Sequence, residues 1–216
     1  DAMCDSIPVL CISGQVATSA IGTDAFQECD AIGISRSVTK WNTQVRSVDD
    51  VAAVTARAFE LTRQGRPGPV LLDFPKDVQL AVPRDADGDD DTPSQQKLAA
   101  LRARRQSGKL APKLPQSAVR RAAALIAQAK RPIFYGGGGL VNAGPEACAA
   151  FTELVRASGA PCTLTLMGLG AFPASDPQFV GMLGMHGTVE ANLAMHNADL
   201  IICIGARFDD RITGKL

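Results

Sequence analysis

Short apolar runs alternate along this chain with segments of helical periodicity. Two runs in the first part, Ile7 to Ile12 and Gly68 to Phe74, are rich in valine, isoleucine and leucine and predict buried strands. Between them, apolar residues recur at helical spacing from Val51 to Leu61, after an expected N-cap at Asp49 or Asp50. Strands that alternate with helices in this way indicate an α/β fold, with parallel sheets flanked by helices.

The same alternation continues in the second part of the chain. Ser117 is the expected N-cap of a helix that precedes the strand RPIFY, and the glycine run at 136–139 makes the next turn. Pro145 suits the first position of another helix, which Gly159 ends. Two further strands are predicted, at PCTLTL and DLIICIG. This order of elements predicts a doubly wound, nucleotide-binding type of sheet.

Residues 84–115 differ in composition from the segments on either side. They contain the acidic run DADGDDD, the basic run RARRQSGK and several prolines, with few large apolar side chains. We therefore predict a first domain at 1–83, a linker at 84–115 and a second domain at 116–216. The chain begins without methionine just before a predicted strand and stops just after another, so we expect a fragment of a longer protein.

Composition and charge exclude several classes of function. Lys and Arg total 22, Asp and Glu total 22, and no basic cluster is interleaved with aromatic residues, which argues against nucleic-acid binding. No run approaches the roughly 18 continuous apolar residues of a transmembrane helix, so we expect no membrane segment. The six cysteines have no C-x-x-C spacing and mostly lie in apolar runs. We expect them to be reduced and buried, as in a cytoplasmic protein.

Two segments that follow predicted strands are candidates for ligand binding. In IFYGGGGLVNAGPE, the glycines at 136–139 would let backbone amides approach a pyrophosphate at a helix N-terminus. The run is not the G-x-G-x-x-G fingerprint, and a tight structural turn explains it equally well. After the last strand, Gly205, Arg207, Asp209 and Arg211 are expected at the carboxyl edge of the sheet, where arginines bind phosphates or carboxylates. A surface cluster of salt bridges is the alternative.

The segment MLGMHGT, directly after Gly181, contains two methionines and two further glycines, Gly184 and Gly187. Met182 and Met185 would ordinarily fill a core, but their glycine-flanked loop favours contact with a ligand. The two histidines, His186 and His196, have no cysteines at ligand spacing, so no zinc site is predicted.

Three charged residues stand near the predicted strands of the first domain. Glu28 ends the segment AIGTDAFQE, where acid–base chemistry is conceivable, but a single carboxylate is more often polar surface or a cap. Arg66 precedes a strand and Lys76 follows it. These two residues lie at opposite ends of the strand, so a shared site requires a large cofactor or another subunit.

Six longer segments together are more specific than any single feature. They are GQVATSAIGTDAFQE, SRSVTKWN, GRPGPVLLDFPKDVQ, TLMGLGAFP, GMLGMHGTVEAN and GARFDDRITGKL. In this order they closely resemble the large catalytic subunit of the acetolactate synthase (acetohydroxyacid synthase) family, from about residue 5 to the last residue, except across 84–115.

This resemblance implies a thiamine diphosphate-dependent transferase. Such enzymes decarboxylate pyruvate and join the two-carbon fragment to pyruvate or 2-oxobutyrate, in the biosynthesis of isoleucine, valine and other branched-chain amino acids. The chain would comprise the second half of the pyrimidine-binding domain and the first part of a Rossmann-like, FAD-binding central domain. The thiamine-activating glutamate and the Mg²⁺ ligands would lie outside it, so the fragment alone should be inactive.

The resemblance also implies roles for individual residues. Phe26, Gln27 and Lys76 match the channel that leads to the thiamine ring, and Arg211 matches the arginine that pairs with the carboxylate of the second 2-oxoacid. A largely structural FAD would contact Arg66, Gly137, Gly138, Gly139, Thr165, Leu166, Met167, Leu183, Gly184, Met185, His186, Gly205, Ala206, Arg207 and Asp209.

The family resemblance further implies a homodimer or homotetramer, with a regulatory small subunit as a further partner. The chain departs from the family's usual pattern at Trp41, where histidine is frequent, and at Cys29 and Asp30, where Thr-Pro is commoner. Two alternatives remain open. One is another thiamine diphosphate enzyme, such as a glyoxylate carboligase or a pyruvate oxidase; the other is a non-catalytic module that binds FAD or NAD.

Overall fold

The structure is a computed structural model that describes residues 1–83, 96, 98–100, 103 and 114–214. The chain divides into two compact units, Asp1–Pro112 and Lys113–Leu216. Most of the linker predicted at 84–115 lies outside the described residues. Both units combine parallel sheets with helices, so the predicted α/β class is confirmed.

None of the helices in the described part of the chain is long and apolar enough to span a membrane.

The first unit contains a three-stranded parallel sheet in the order β1-β3-β2. Ala58, Val70 and Leu72 are fully buried at its centre, because β3 has a neighbour on each side and α2 packs across it. The elements are β1 (Leu10–Gln15), α1 (Ala31–Ser35), β2 (Trp41–Gln44), α2 (Val51–Arg63), β3 (Val70–Pro75) and α3 (Lys76–Leu80).

One predicted strand in this unit has the wrong bounds, and one predicted helix cap is confirmed in position but not in its hydrogen bond. The first strand was predicted at residues 7–12, but β1 starts at Leu10, where pairing with Val70 begins, and Gly14 continues the pairing instead of ending it. Asp50, one of the two predicted residues, occupies the N-cap position of α2, which begins at Val51. The Asp50 side chain makes no capping hydrogen bond, whereas Ser47 accepts one from the Asp49 amide in the short turn before the helix.

The second unit contains a four-stranded parallel sheet in the order β6-β5-β4-β7. Its core lies where α6 covers the central strands, and Phe151 makes edge-to-face contacts with Phe134 and Phe172 at centroid distances of 6.1 and 6.2 Å. The elements are α4 (Gln116–Gln128), β4 (Pro132–Gly136), α5 (Gly138–Ala143), α6 (Pro145–Ser158), β5 (Cys162–Leu164), β6 (Phe179–Met182), α7 (Val189–Asn197), β7 (Leu200–Ile204) and α8 (Asp210–Thr213).

The helix ends of this unit test the capping predictions. Pro145 begins α6, and Gly159 ends it in the left-handed region with φ of +69°, as predicted. Ser117, however, lies inside α4 and does not cap it, because the helix already begins at Gln116 after Pro115. A proline there fixes a backbone angle suited to helix entry, so the start needs no side-chain cap.

The cysteines are all free, as predicted, but most of them are not buried. Cys162 is fully buried in β5, whereas Cys11 in β1 and Cys203 in β7 are exposed. These two strands lie at sheet edges in the described residues, so their apolar sequences do not imply burial there.

Candidate functional site

The carboxyl ends of β4, β5, β6 and β7 meet at one edge of the second sheet because all four strands are parallel. Hydrogen bonds join the loops that leave this edge. The Thr165 amide donates to the Gly136 carbonyl at 2.9 Å, and the Gly139 amide donates to the Gly205 carbonyl at 2.9 Å. The Met185 amide donates to the Arg211 carbonyl at 3.1 Å, which connects the loops that follow the two outermost strands. The structure therefore brings the turns near 137, 166, 184 and 206 together at one edge of the second sheet.

The glycine turn after β4 differs from its predicted role. Gly137 donates its amide to the Ile204 carbonyl at 3.0 Å and Gly139 donates its amide to Gly205, so neither amide is available to a pyrophosphate. A Cβ on Gly137 would lie 2.4 Å from the Ala206 Cα, and one on Gly139 would lie 2.7 Å from the Gly205 Cα. Glycine is required at these positions because two backbone segments cross there in direct contact. This agrees with the alternative prediction of a tight structural turn.

The loop after β5 presents apolar side chains at this edge. Leu166 is 68% exposed and Met167 is 48% exposed on a single 3₁₀ turn. The Oγ1 atom of Thr165, just before them, is buried and has no hydrogen-bond partner among the described residues. A buried hydroxyl without a partner is costly, so this atom and the two exposed side chains fit a ligand that offers both an acceptor and an apolar face.

The loop after β6 corrects one expectation about MLGMHGT, the placement of Met182. Met182 is the last residue of β6 and is half-buried, so it does not belong to the loop. Leu183 is 4% exposed, so its side chain is buried. Met185 is 64% exposed, and His186 beside it is also exposed. These two side chains face outward from the sheet edge.

Sequence reasoning missed the residue that holds this loop. The Asn192 side chain on α7 accepts from the Gly184 amide at 3.2 Å and donates to the Gly184 carbonyl at 3.1 Å. Thr188 caps the same helix by accepting from the Ala191 amide at 3.1 Å. Neither the threonine cap nor the bonds from an asparagine to a glycine eight residues earlier was predicted from the sequence.

The charged residues after β7 have unequal roles. Asp209 caps α8 by accepting from the Arg211 amide at 3.1 Å, and its other oxygen lies 3.8 Å from an Arg207 nitrogen. The side chains of Arg207 and Arg211 are 50% and 66% exposed, respectively. Tyr135 lies beneath this segment, where its ring contacts Phe208 and burial raises its pKa to about 12. Its hydroxyl has no partner among the described residues.

The first unit brings three predicted residues to its own carboxyl edge. Phe26 and Gln27 lie in the loop that follows β1, and Lys76 begins α3 directly after β3. The Thr18 amide and hydroxyl donate to the Asp77 carboxylate at 2.9 and 3.0 Å, which ties the two segments together and lowers the Asp77 pKa.

Arg66 stands apart from these residues, before the amino end of β3. Its guanidinium donates to the carbonyls of Met3 and Cys4 and to the hydroxyl of Ser6, at 2.8 to 2.9 Å. The structure therefore gives Arg66 partners within its own unit.

A buried carboxylate was also not foreseen. Asp73 is 0% exposed in β3 and accepts from the Ser13 hydroxyl at 2.7 Å, from Gln44 at 3.1 Å and from Gln15 at 3.3 Å. These donors come from the two strands that flank β3, so Asp73 links all three strands near their carboxyl ends. Nothing in the local pattern VLLDF distinguishes such an aspartate from one that begins a turn.

One cleft among the described residues is not part of this edge. It has a volume of about 980 Å³ and lies beside the amino ends of β4 and β5, between α4, α6 and α7. Its walls are mostly apolar and come from residues such as Val119, Ile126 and Leu154. It contains none of the predicted site residues.

Comparison with known families finds a similarity for the second unit. Residues 119–216 match the model of the thiamine pyrophosphate enzyme, central domain. This match is confined to the second unit of the chain.

Individual relatives extend the similarity to both units. The whole chain aligns with the mitochondrial acetolactate synthase catalytic subunit of Saccharomyces cerevisiae at 48% identity, covering 31% of that protein. It aligns in full with the acetolactate synthase isozyme 1 large subunit of Escherichia coli at 46% identity and with the chloroplastic acetolactate synthase 2 of Zea mays at 47%, covering 35% and 32% of them. The chain thus spans about a third of the length of the curated relatives it matches.

Proposed function

We propose that this chain is part of an acetolactate synthase. The enzyme would decarboxylate pyruvate and join the two-carbon fragment to pyruvate or 2-oxobutyrate, as a step of branched-chain amino acid biosynthesis. The observation that carries the proposal is the similarity to acetolactate synthase catalytic subunits over 100% of this chain, at 46% to 48% identity. A chain that shared only a nucleotide-binding sheet with these enzymes would not match across both units.

FAD is the proposed occupant of the edge of the second sheet. The unpartnered Thr165 hydroxyl and the exposed Leu166, Met167 and Met185 support this assignment, because a long ligand with an apolar ring and polar groups would cover them. His186 and Arg207 would lie beside them, and an exposed arginine is suited to a phosphate. FAD would stabilise the assembled site here, since the condensation of two oxoacids transfers no net electrons.

The hydrogen bonds limit how the other predicted residues contact this cofactor. Gly137, Gly139 and Gly205 use backbone groups to join the loops, so we expect them to shape this edge of the sheet and not to donate to phosphates. Asp209 would act mainly by capping α8 and orienting Arg207. Arg66, which the resemblance assigns to FAD, has its own partners at Met3, Cys4 and Ser6 within the first unit.

The substrate residues are assigned by their chemistry. The guanidinium of the exposed Arg211 side chain would pair with the carboxylate of the second 2-oxoacid, because it stays charged and grips both oxygens. Phe26, Gln27 and Lys76 would line the path to the thiamine ring. Thiamine diphosphate would supply the carbanion chemistry when bound, and Mg²⁺ would hold its diphosphate. The resemblance assigns their ligands to segments outside residues 1–216, so this chain alone should be inactive.

The proposed assembly is a homodimer or homotetramer of the full-length subunit, with a regulatory small subunit as a further partner. We propose a cytoplasmic location, although the names of two of the relatives place them in mitochondria and chloroplasts.

The test is product formation by the full-length polypeptide. We expect acetolactate from pyruvate, dependent on added thiamine diphosphate and Mg²⁺. Flavin absorbance with no product would instead identify a non-catalytic flavin module. Consumption of glyoxylate in place of pyruvate would indicate a glyoxylate carboligase, and oxidation of pyruvate without condensation would indicate a pyruvate oxidase.

A further inference from the structure

The loop after β1 folds around the carboxylate of Glu28. The Gly22 amide donates to one carboxylate oxygen and the Ala25 amide donates to the other at 3.1 Å. The Glu28 amide in turn donates to the Ala25 carbonyl at 2.9 Å. The pKa of Glu28 is lowered by these bonds, first from Gly22 and then from Ala25. The carboxylate is therefore an ionised acceptor at the centre of a closed turn and is not suited to donate a proton.

The backbone of this turn is strained where it carries the proposed substrate residues. Asp24 and Gln27 have φ of +60° and +68°, in the left-handed region that residues other than glycine rarely adopt. Phe26, between them, is 89% exposed, so core packing does not fix its ring. A strained turn with an exposed aromatic residue persists only if other contacts determine its shape, and the two amide bonds to Glu28 are such contacts.

The ends of the loop are attached to the sheet independently of Glu28. The Gln15 side-chain amide donates to the Cys29 carbonyl at 2.6 Å and to the buried Asp73 carboxylate at 3.3 Å. Thr18 is bonded to Asp77, which directly follows Lys76. Loss of the Glu28 carboxylate would therefore loosen the middle of the loop while both of its ends remain anchored.

We infer that Glu28 is a positioning residue that holds Phe26 and Gln27 in the conformation required to receive a 2-oxoacid. This inference rests on the proposed function, because it takes Phe26 and Gln27 to line the substrate channel. Glu28 itself would touch neither the substrate nor the cofactor.

The test uses the full-length enzyme with Glu28→Gln, which keeps the size of the side chain but replaces one acceptor oxygen with a donor that faces a backbone amide. We expect kcat/KM for 2-oxoacids to fall by roughly tenfold or more, since small misplacements near a reacting centre have effects of this order. The ratio of acetolactate to acetohydroxybutyrate should change as well. Glu153→Gln, the same substitution at an exposed site on α6, should change neither quantity.

A double-mutant cycle separates positioning from general structural damage. If Glu28 acts through Phe26, Glu28→Gln should lower kcat/KM by less than about threefold in a Phe26→Ala background, because the effects of coupled residues are non-additive. Equal losses in both backgrounds, or wild-type kinetics for Glu28→Gln, would overturn the inference. If Glu28→Gln does not fold, Glu28→Asp, which keeps the charge but shortens the side chain, replaces it in the same cycle. A smaller loss in the Phe26→Ala background would again support positioning, and equal losses or wild-type kinetics would again overturn it. Absence of acetolactate formation by the wild-type enzyme would instead refute the proposed function.

Discussion

Replacement of Gly137 by alanine should open the crossing between the loops that follow β4 and β7. The added Cβ would lie 2.4 Å from both the Ala206 Cα and the Gly205 carbonyl oxygen, whereas ordinary contact begins at 3.4 Å. The two backbone segments must therefore separate by about 1 Å, which also weakens the bond from the Gly137 amide to Ile204. Overpacking together with a weakened buried hydrogen bond should lower the free energy of unfolding of the second unit by about 2–4 kcal/mol.

Hydrogen exchange of the buried β4 and β5 amides in the full-length protein measures this cost within the second unit. A loss of about 2–4 kcal/mol corresponds to exchange that is about 30- to 1,000-fold faster. Two matched variants should accelerate exchange of these amides less than Gly137→Ala does. Gly138→Ala brings its Cβ to 3.1 Å from Met167, and Gly14→Ala, in the first unit, has nothing nearer than 3.9 Å. Wild-type protection in Gly137→Ala, or a different rank order, would refute the described crossing.

Three further predictions concern charge and pH. Arg211→Lys should alter the choice of second oxoacid more than the rate of pyruvate decarboxylation, because lysine lacks the bidentate grip; equal losses in both assays would count against the assignment. Amides of Lys130 and Arg131 donate to Asp199 and lower its pKa. The stabilisation by the Asp199 carboxylate is therefore complete above the ordinary aspartate pKa and is lost as the pH falls through the lowered pKa. Below about pH 4, the free energy of unfolding measured in urea should fall less steeply with decreasing pH in Asp199→Asn than in the wild type. An unchanged pH dependence would contradict this. Burial raises the pKa of Tyr135 to about 12. The contribution of its neutral hydroxyl to the free energy of unfolding is therefore complete below about pH 10 and is lost as the pH rises through the raised pKa. Tyr135→Phe should reduce the alkaline loss without destabilising the protein at pH 7, and destabilisation by more than about 1 kcal/mol at pH 7 would show that the hydroxyl has a partner.

The sequence pattern predicted the elements whose buried residues recur with a regular period. Helix α6 was found with its proline start and glycine end, and the central strands β3, β4 and β5 were found as apolar runs. The edge strands Trp41–Gln44 and Phe179–Met182 were missed. Each has four half-buried residues with no alternation, so its strand conformation depends on pairing with β3 or β5.

The candidate site was predictable at the level of loops but not of individual bonds. Parallel strands bring their carboxyl ends to one edge, so the convergence of the four turns follows from topology. The sequence did not reveal that Gly137 and Gly139 donate their amides to the neighbouring loop, because glycine is equally compatible with a crossing backbone and with a phosphate. Hydrogen-bond partners that lie apart in the sequence, such as Asn192 for Gly184 and Asp73 for Ser13, also leave no local sequence pattern.

The central claim is that the loops after β4, β5, β6 and β7 together bind one FAD molecule. Hydrogen exchange of the full-length protein, measured with and without saturating FAD, tests it most directly. We predict that FAD slows exchange jointly in segments 137–139, 165–168, 183–187 and 205–209, while the amino ends of β4 and β5 stay unchanged. Protection limited to one of these segments, or centred on the cleft beside α4, would contradict the account.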